Sequence, residues 1–152
     1  MKKYIIIVLL LLLTVGCSKN NNNENNNKKK EKKPEVENVV KVNLFHWSQC
    51  SHCHDEIEWL KELLERKDYI KVNYYEVTAY QELSTKVREE LDVLGEGVPL
   101  TVIGTDYILG FGDSTKARLT NLIEKYHEKE YCDIVSLIIN NEDTTDCYLQ
   151  NT

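Results

Sequence analysis

An α/β protein, with a central mixed sheet flanked by helices, is predicted from three observations on the 152-residue chain. Residues 39–45 form an almost continuous apolar run, which suits a central strand covered on both faces. The next segment repeats its apolar residues at helical spacing, and the one after it alternates apolar and polar residues as a strand does. Downstream come a second helical segment, two short strands around a tight turn and a last helix. The expected order is β-α-β-α-β-β-α, with no internal repeats.

Each element has its own signals. After the first strand, residues 55–67 are expected to be helical, with Ser48 or Ser51 as cap. Within them Cys53, Ile57, Leu60 and Leu64 recur at i, i+4, i+7 and i+11, with Leu63 widening the stripe. Glu58, Glu62 and Glu65 mark the opposite face. Cys53 therefore faces the core, and Cys50 sits at the helix tip. Residues 69–77 alternate Ile70, Val72 and Tyr74 with Lys71 and Asn73, as a strand would. Residues 82–94 carry Leu83, Val87, Leu91 and Leu94 on one helical face, and Gly95-Glu96-Gly97 is expected to stop that helix. Val98-Pro99 leads into a strand over 100–103, Gly104-Thr105-Asp106 turns the chain, and residues 107–111 return it. Gly110 and Gly112 leave room for a bulge or close backbone approach. Asp113 and Ser114 are expected to cap the last helix, whose buried stripe is Leu119, Leu122, Ile123 and Tyr126. Beyond it, residues 132–139 are apolar with a period ambiguous between helix and strand, followed by a polar loop over 140–146.

The N-terminus points to export. Lys2 and Lys3 precede an unbroken apolar run over residues 4–13. That run is too short to span a bilayer, which takes about 20 residues, and fits the core of a secretory signal. Thr14-Val15-Gly16-Cys17 follows and resembles a bacterial lipobox, so residues 1–16 are expected to be a lipoprotein signal peptide and Cys17 the lipidated residue. Residues 17–38 are rich in Asn and Lys and contain no apolar side chain between Cys17 and Val36. Such a tract cannot bury a core and is expected to be a disordered tether reaching about 25 Å. The net charge of −6 averages unlike parts. Residues 40–152 alone hold 11 Lys and Arg against 21 Asp and Glu, so about −10. An acidic compact part argues against a nucleic-acid partner.

Five cysteines divide without remainder. Cys17 is the anchor, Cys50 and Cys53 are a close pair, and Cys132 and Cys147 a distant one. Outside the cytosol disulfides persist. A Cys132–Cys147 structural disulfide is expected, closing a loop of about 16 residues worth about 3 kcal/mol. A second redox pair relaying electrons to Cys50 and Cys53 is the alternative.

The stretch Ser48-Gln49-Cys50-Ser51-His52-Cys53-His54 lies at the turn into the first helix. A close cysteine pair at a helix N-terminus suits a small redox disulfide. The same residues spell Cys-x-x-Cys-His, the pattern of covalent haem attachment. Haem usually needs a second axial ligand, and the single methionine is Met1, which leaves His46 or His127. A zinc site built from Cys50, Cys53, His52 and His54 fails, because neighbours in so short a run cannot converge on one tetrahedral ion. Two ligands from here with the distant pair, or an inert Cys50–Cys53 staple, stay open. No metal or cofactor is expected.

The Cys50-Ser51-His52-Cys53 motif, Gly97-Val98-Pro99 before the hairpin, Phe111-Gly112 before the last helix and the order of elements together resemble the thioredoxin superfamily, over about residues 39–130. The resemblance implies a thioredoxin-like fold for residues 39–131, with 132–152 as a short disulfide-closed C-terminal extension. It implies a cis Val98–Pro99 peptide facing the cysteine pair. It also implies a thiol-disulfide oxidoreductase in which Cys50, Cys53, His52 and Pro99 are catalytic. Val98, Pro99 and Trp47 would bind the partner chain as an added strand. The chain departs from the family at Gln49, where an aromatic is usual. It departs again at Leu44, where a buried acid is usual, so Glu76 or a water is expected to take the Cys53 proton.

A helix N-terminus and His52 both favour a Cys50 thiolate, which makes the disulfide more oxidising. Asp55, Glu56 and Glu58 oppose this and are expected to be solvated. The expected function is formation or exchange of disulfides in exported proteins, with reduction of exported thiols as the alternative. Partners would be exported protein thiols and disulfides, a membrane redox protein for recycling, and the membrane itself through the lipid anchor. The protein would be an extracytoplasmic, membrane-anchored monomer.

Overall fold

Strand β1 (Val40–His46) alternates its side chains between two cores. Val40, Val42 and Leu44 enter one cluster, and Phe45 enters the other. The computed structural model describes residues 38–150, so the expected signal peptide, Cys17 and nearly all of the expected tether lie outside the described residues. Beyond β1 the chain forms α1 (Ser51–Leu64), β2 (Ile70–Glu76), α2 (Gln81–Glu90), β3 (Leu100–Ile103), β4 (Asp106–Leu109), α3 (Asp113–His127), α4 (Ile134–Asn140) and α5 (Cys147–Gln150). The first seven elements follow the expected order.

The four strands form one mixed sheet in the order β2-β1-β3-β4. β1 pairs parallel to β2, with Val40 opposite Ile70 and His46 opposite Glu76. It pairs antiparallel to β3, with Leu44 opposite Thr101, and β3 pairs antiparallel to β4. Parallel pairing requires a crossover, which α1 supplies. β1 is thus buried on both faces, as its near-continuous apolar run requires.

On one face, Leu60 and Leu63 of α1 and Leu119, Ile123 and Tyr126 of α3 close over Val40, Val42, Leu44 and Ile103. On the other, Val87 of α2 and Ile134 and Val135 of α4 pack on Phe45, Leu100 and Val102. The second core holds a polar strip. Asn43 is buried in β1, donates to Asp133 Oδ1 at 3.0 Å and accepts from Asn73 at 2.9 Å. Lys41 reaches Asp133 Oδ2 at 3.4 Å and Ser136 Oγ at 3.0 Å. Buried polar groups are costly unless paired, and this strip pairs them while fixing the start of α4.

The tail is part of this second core. Cys132 and Cys147 form the expected disulfide, and Cys147 is buried among Phe45, Val87 and Leu100. The ambiguous apolar stretch resolves as helix α4, ended by Asn141 at φ +56. From α5, Tyr148 donates to the Glu90 carbonyl at 2.6 Å, and Thr144 just before it donates to Glu90 Oε1 at 2.8 Å. The tail thereby braces the end of α2.

Several boundaries differ from expectation. α2 ends at Glu90, four residues before the expected stop, because Asp92 takes the left-handed conformation at φ +46. Leu94 then leaves the helix and is exposed. Gly112, not Asp113 or Ser114, caps α3, and Thr115 Oγ1 accepts its N–H at 2.7 Å. Leu122 is only partly buried beside Leu119, Ile123 and Tyr126. Among the described residues, Gly104 is the glycine that close approach demands: a Cβ there would lie 2.4 Å from the Tyr126 ring.

Candidate functional site

The C-terminal end of β1 and the N-terminal end of α1 bring the cysteine pair to one edge of the sheet. Trp47 and Ser48 turn the chain, and the Cys50 N–H donates to the Trp47 carbonyl at 3.0 Å. Cys50 is itself the cap of α1, with extended backbone at φ −91 and ψ 115. Its sulfur accepts the Cys53 N–H at 3.2 Å, satisfying one donor of the open helix end. This corrects the expectation of a Ser48 or Ser51 cap. The Cys50 thiol also points to the Val98 carbonyl, 3.6 Å away.

The two sulfurs occupy different surroundings. Both are free thiols; Cys50 is half-exposed and Cys53 is 0% exposed. Burial first, then the hydrogen bond with Cys50, pushes the Cys53 thiol up to about 12. Cys53 therefore holds its proton until a base takes it.

A candidate base lies one turn along the helix. Glu56 is 0% exposed, packed inside α1 on the same face as Cys53, Leu60 and Leu63. Its Oε1 accepts the Thr101 hydroxyl at 2.5 Å, and its Oε2 has no hydrogen-bond partner among the described residues. Burial pushes its carboxyl up to about 7, with the Thr101 bond acting partly against that. Its charge is among the influences that raise Cys53. The expectation that Glu56 is solvated is thus wrong. The buried face runs 53, 56, 60, 63 rather than 53, 57, 60, 64, and the acid occupies a core position.

Glu76 does not fit the role of proton acceptor. Its carboxylate is engaged by the N–H groups of Ser48 at 3.4 Å, Thr78 at 2.9 Å and Ala79 at 3.3 Å, and by the Thr78 hydroxyl. Those bonds, Thr78's hydroxyl first, hold it below the usual carboxylate range. It is a loop anchor, pinning the Trp47–Ser48 turn to the end of β2.

His52 faces solvent. Its side chain is 71% exposed, with Nδ1 3.9 Å from Asp55 Oδ2, and no described contact joins it to either sulfur. His54 turns back to the Ser48 carbonyl at 2.9 Å. His46 is partly buried against Tyr74, and burial, first among its influences, lowers its pKa. His127 stacks on Tyr69 and contacts the Asn38 carbonyl at 3.0 Å, at the far end of β1 from the cysteines. The histidines therefore do not converge. Among the described residues no group of three or more His, Cys, Asp or Glu side chains is arranged to hold a metal ion.

Val98–Pro99 is cis and borders Cys50. Beside it a groove of about 680 Å³ opens between α2 and the 96–98 loop, lined by Trp47, Val77, Ser84, Thr85, Arg88 and Val98. Trp47 is 40% exposed at its rim. Cys50, Cys53, Val98, Pro99 and Trp47 thus lie together, and Glu56 and Thr101 join them. The signal for Glu56 is its 3-4-3 spacing with Cys53, Leu60 and Leu63, the one register in which a carboxylate sits on the apolar stripe. No family model and no curated protein matches the chain.

Proposed function

We propose that the protein is a thioredoxin-like thiol-disulfide oxidoreductase acting on exported proteins, with Cys50 as nucleophile and Cys53 as resolving thiol. One observation carries this reading. The half-exposed Cys50 sulfur receives a helix N–H, while the fully buried Cys53 stands one turn from a buried carboxyl with a vacant oxygen. An inert staple needs neither the asymmetry nor the acid. Further support comes from the mixed sheet with helices on both faces and from Val98-Pro99 beside Cys50.

In the reducing direction the Cys50 thiolate attacks one sulfur of a partner disulfide. The partner's S–S bond breaks, a mixed disulfide forms, and the partner's other sulfur leaves as thiolate. The N–H of Cys53, aimed at the Cys50 sulfur, forms a bond that is stronger to a thiolate than to a thiol. Cys53 then gives its proton to the Glu56 carboxylate and attacks Cys50. The Cys50–Cys53 disulfide closes and the partner leaves reduced by two electrons. Oxidation of a partner dithiol is the reverse, with Glu56 returning the proton. Trp47, Val98 and Pro99 would hold the partner chain. A carboxyl titrating near 7 suits a group that both accepts and returns a proton at neutral pH.

Formation or exchange of disulfides is the first reading. Reduction of disulfides that keeps exported thiols reduced is the second, favoured by the placement of His52 toward Asp55 rather than Cys50. A signal peptide over residues 1–16 and a lipidated Cys17, as the sequence leads one to expect, would put either activity outside the cytoplasm on a lipid anchor. Insulin reduction and RNase reoxidation test the enzyme. Turnover by wild type that disappears in Cys50→Ser is expected, and full turnover by that variant overturns the proposal. The reduction potential decides direction: a value near that of thioredoxin, about −270 mV, selects the reductant.

A further inference from the structure

The backbone that borders Cys50 is carried by a loop with little stiffness of its own. Residues 91–99 connect α2 to β3, and within them Gly95 and Gly97 have φ of +96 and +118. Glycine adopts that region freely, but it also carries the largest conformational freedom of any residue. A loop with two such positions immediately before Val98 needs an external hold to keep one geometry.

α2 supplies it through Arg88. Its Nη1 donates to the Gly95 carbonyl at 3.3 Å and its Nη2 to the Gly97 carbonyl at 2.5 Å. Gly97 is bonded directly to Val98, whose carbonyl receives the Cys50 thiol. One planar guanidinium thus spans both glycines and reaches within one residue of the Cys50 contact. A rigid fork makes two bonds at fixed spacing, which a lysine ammonium cannot reproduce. The platform is firm: Val87, the residue before Arg88, is buried in the second core, and Glu90, two residues after it, is held by Thr144 and Tyr148. Arg88 also forms part of the wall of the groove beside Val98.

We propose that Arg88 is a positioning residue for disulfide exchange, fixing the Val98 backbone at the distance from Cys50 that aligns a partner polypeptide for attack. The inference rests on the reading of Cys50 as nucleophile and adds a specificity to it. A partner long enough to lie on Val98 depends on Arg88. A small disulfide, which meets Cys50 without lying along that backbone, depends on it less.

The test compares wild type, Arg88→Met and Arg88→Lys, each as the folded chain, on insulin and on hydroxyethyl disulfide. Arg88→Met is expected to raise KM for insulin about fivefold or more, with a smaller change for hydroxyethyl disulfide, so that the ratio of the two kcat/KM values falls about fivefold. Arg88→Lys, which keeps the charge and restores one bond, is expected to recover part of that ratio. Equal losses on both substrates, or an unchanged ratio in both variants, overturn the proposal. Absence of turnover by wild type overturns the Cys50 reading and this inference with it, and is distinguished because it precedes any change at Arg88.

Discussion

The protein holds two cysteine pairs in different states. Cys50 and Cys53 are separated by two residues, remain free thiols and lie where a helix end, a carbonyl and a buried carboxyl meet. Cys132 and Cys147 are 15 positions apart, form a disulfide and lie against Phe45, Val87 and Leu100. The difference is in what surrounds the sulfur. The first pair has a backbone donor for a thiolate, a proton holder and an opening to solvent. The second lies in the core with Phe45, Val87 and Leu100 and is already joined. The surroundings, not the presence of two cysteines, distinguish the pairs.

Exchanging the pairs' roles by mutation is the strongest way to break this comparison. Cys50→Ser is expected to lower insulin turnover more than about 100-fold, since among the described residues Cys50 is the free thiol with exposure and it borders Val98. The double variant Cys132→Ala, Cys147→Ala is expected to keep turnover while losing about 3 kcal/mol of unfolding free energy in urea. Turnover lost in the double variant and kept in Cys50→Ser would invert the assignment.

Glu56 provides the next contrast, because it is a wholly buried acid one turn from Cys53. Folded, its carboxyl holds a proton up to about 7; the ordinary value is 4.5. Between these values the folded chain binds a proton that the unfolded chain has released. Stability from this group is therefore greatest below 4.5, declines as pH rises to 7 and stays low above. At about 1.4 kcal/mol per pH unit the loss approaches about 3 kcal/mol. Glu56→Gln is expected to remove this slope, measured as urea midpoints of the reduced protein at pH 5 and pH 8. It should also slow release of the mixed disulfide at pH 7 by about tenfold to 100-fold, read by stopped-flow fluorescence of Trp47. A pH slope equal to wild type would place the carboxyl in water.

Thr101→Val sharpens the same point. The Thr101 hydroxyl is the described donor to Glu56, so its loss moves the Glu56 titration further upward and costs about 2 kcal/mol at pH 8, where the carboxylate is ionised. Carboxyl NMR of the labelled side chain reads the shift. Tyr148→Phe is the smallest change. It removes one bond at a half-exposed site and is expected to cost about 0.5 kcal/mol without changing the chemistry at Cys50.

Much of this arrangement was legible in the sequence because burial leaves a pattern. The run at 39–45 placed the central strand, the helical stripe turned Cys53 inward, and the spacing of five cysteines paired Cys132 with Cys147. What the sequence hides shares a cause. Glu56 breaks an apolar stripe by its charge, so the pattern favours a stripe through Ile57 and Leu64. Capping by a cysteine sulfur is no part of the Ser, Thr, Asp and Asn preference, so the serine neighbours of Cys50 carry the stronger signal. The pattern carries α2 to Leu94 because Asp92, not a glycine, takes the left-handed turn. The stretch at 132–139 spans only two helical turns, too few to separate one period from the other. The grip of Arg88 on Gly95 and Gly97 joins residues that no periodicity links.

β1 runs from Val40, near the Tyr131 and His127 contacts, to His46, just before the cysteine turn. Seven residues make six steps of about 3.3 Å each, which puts about 20 Å between those ends. The described chain thus starts at one end of β1 and carries its cysteine pair beyond the other, so a partner approaching Cys50 would not meet the first residues of the strand.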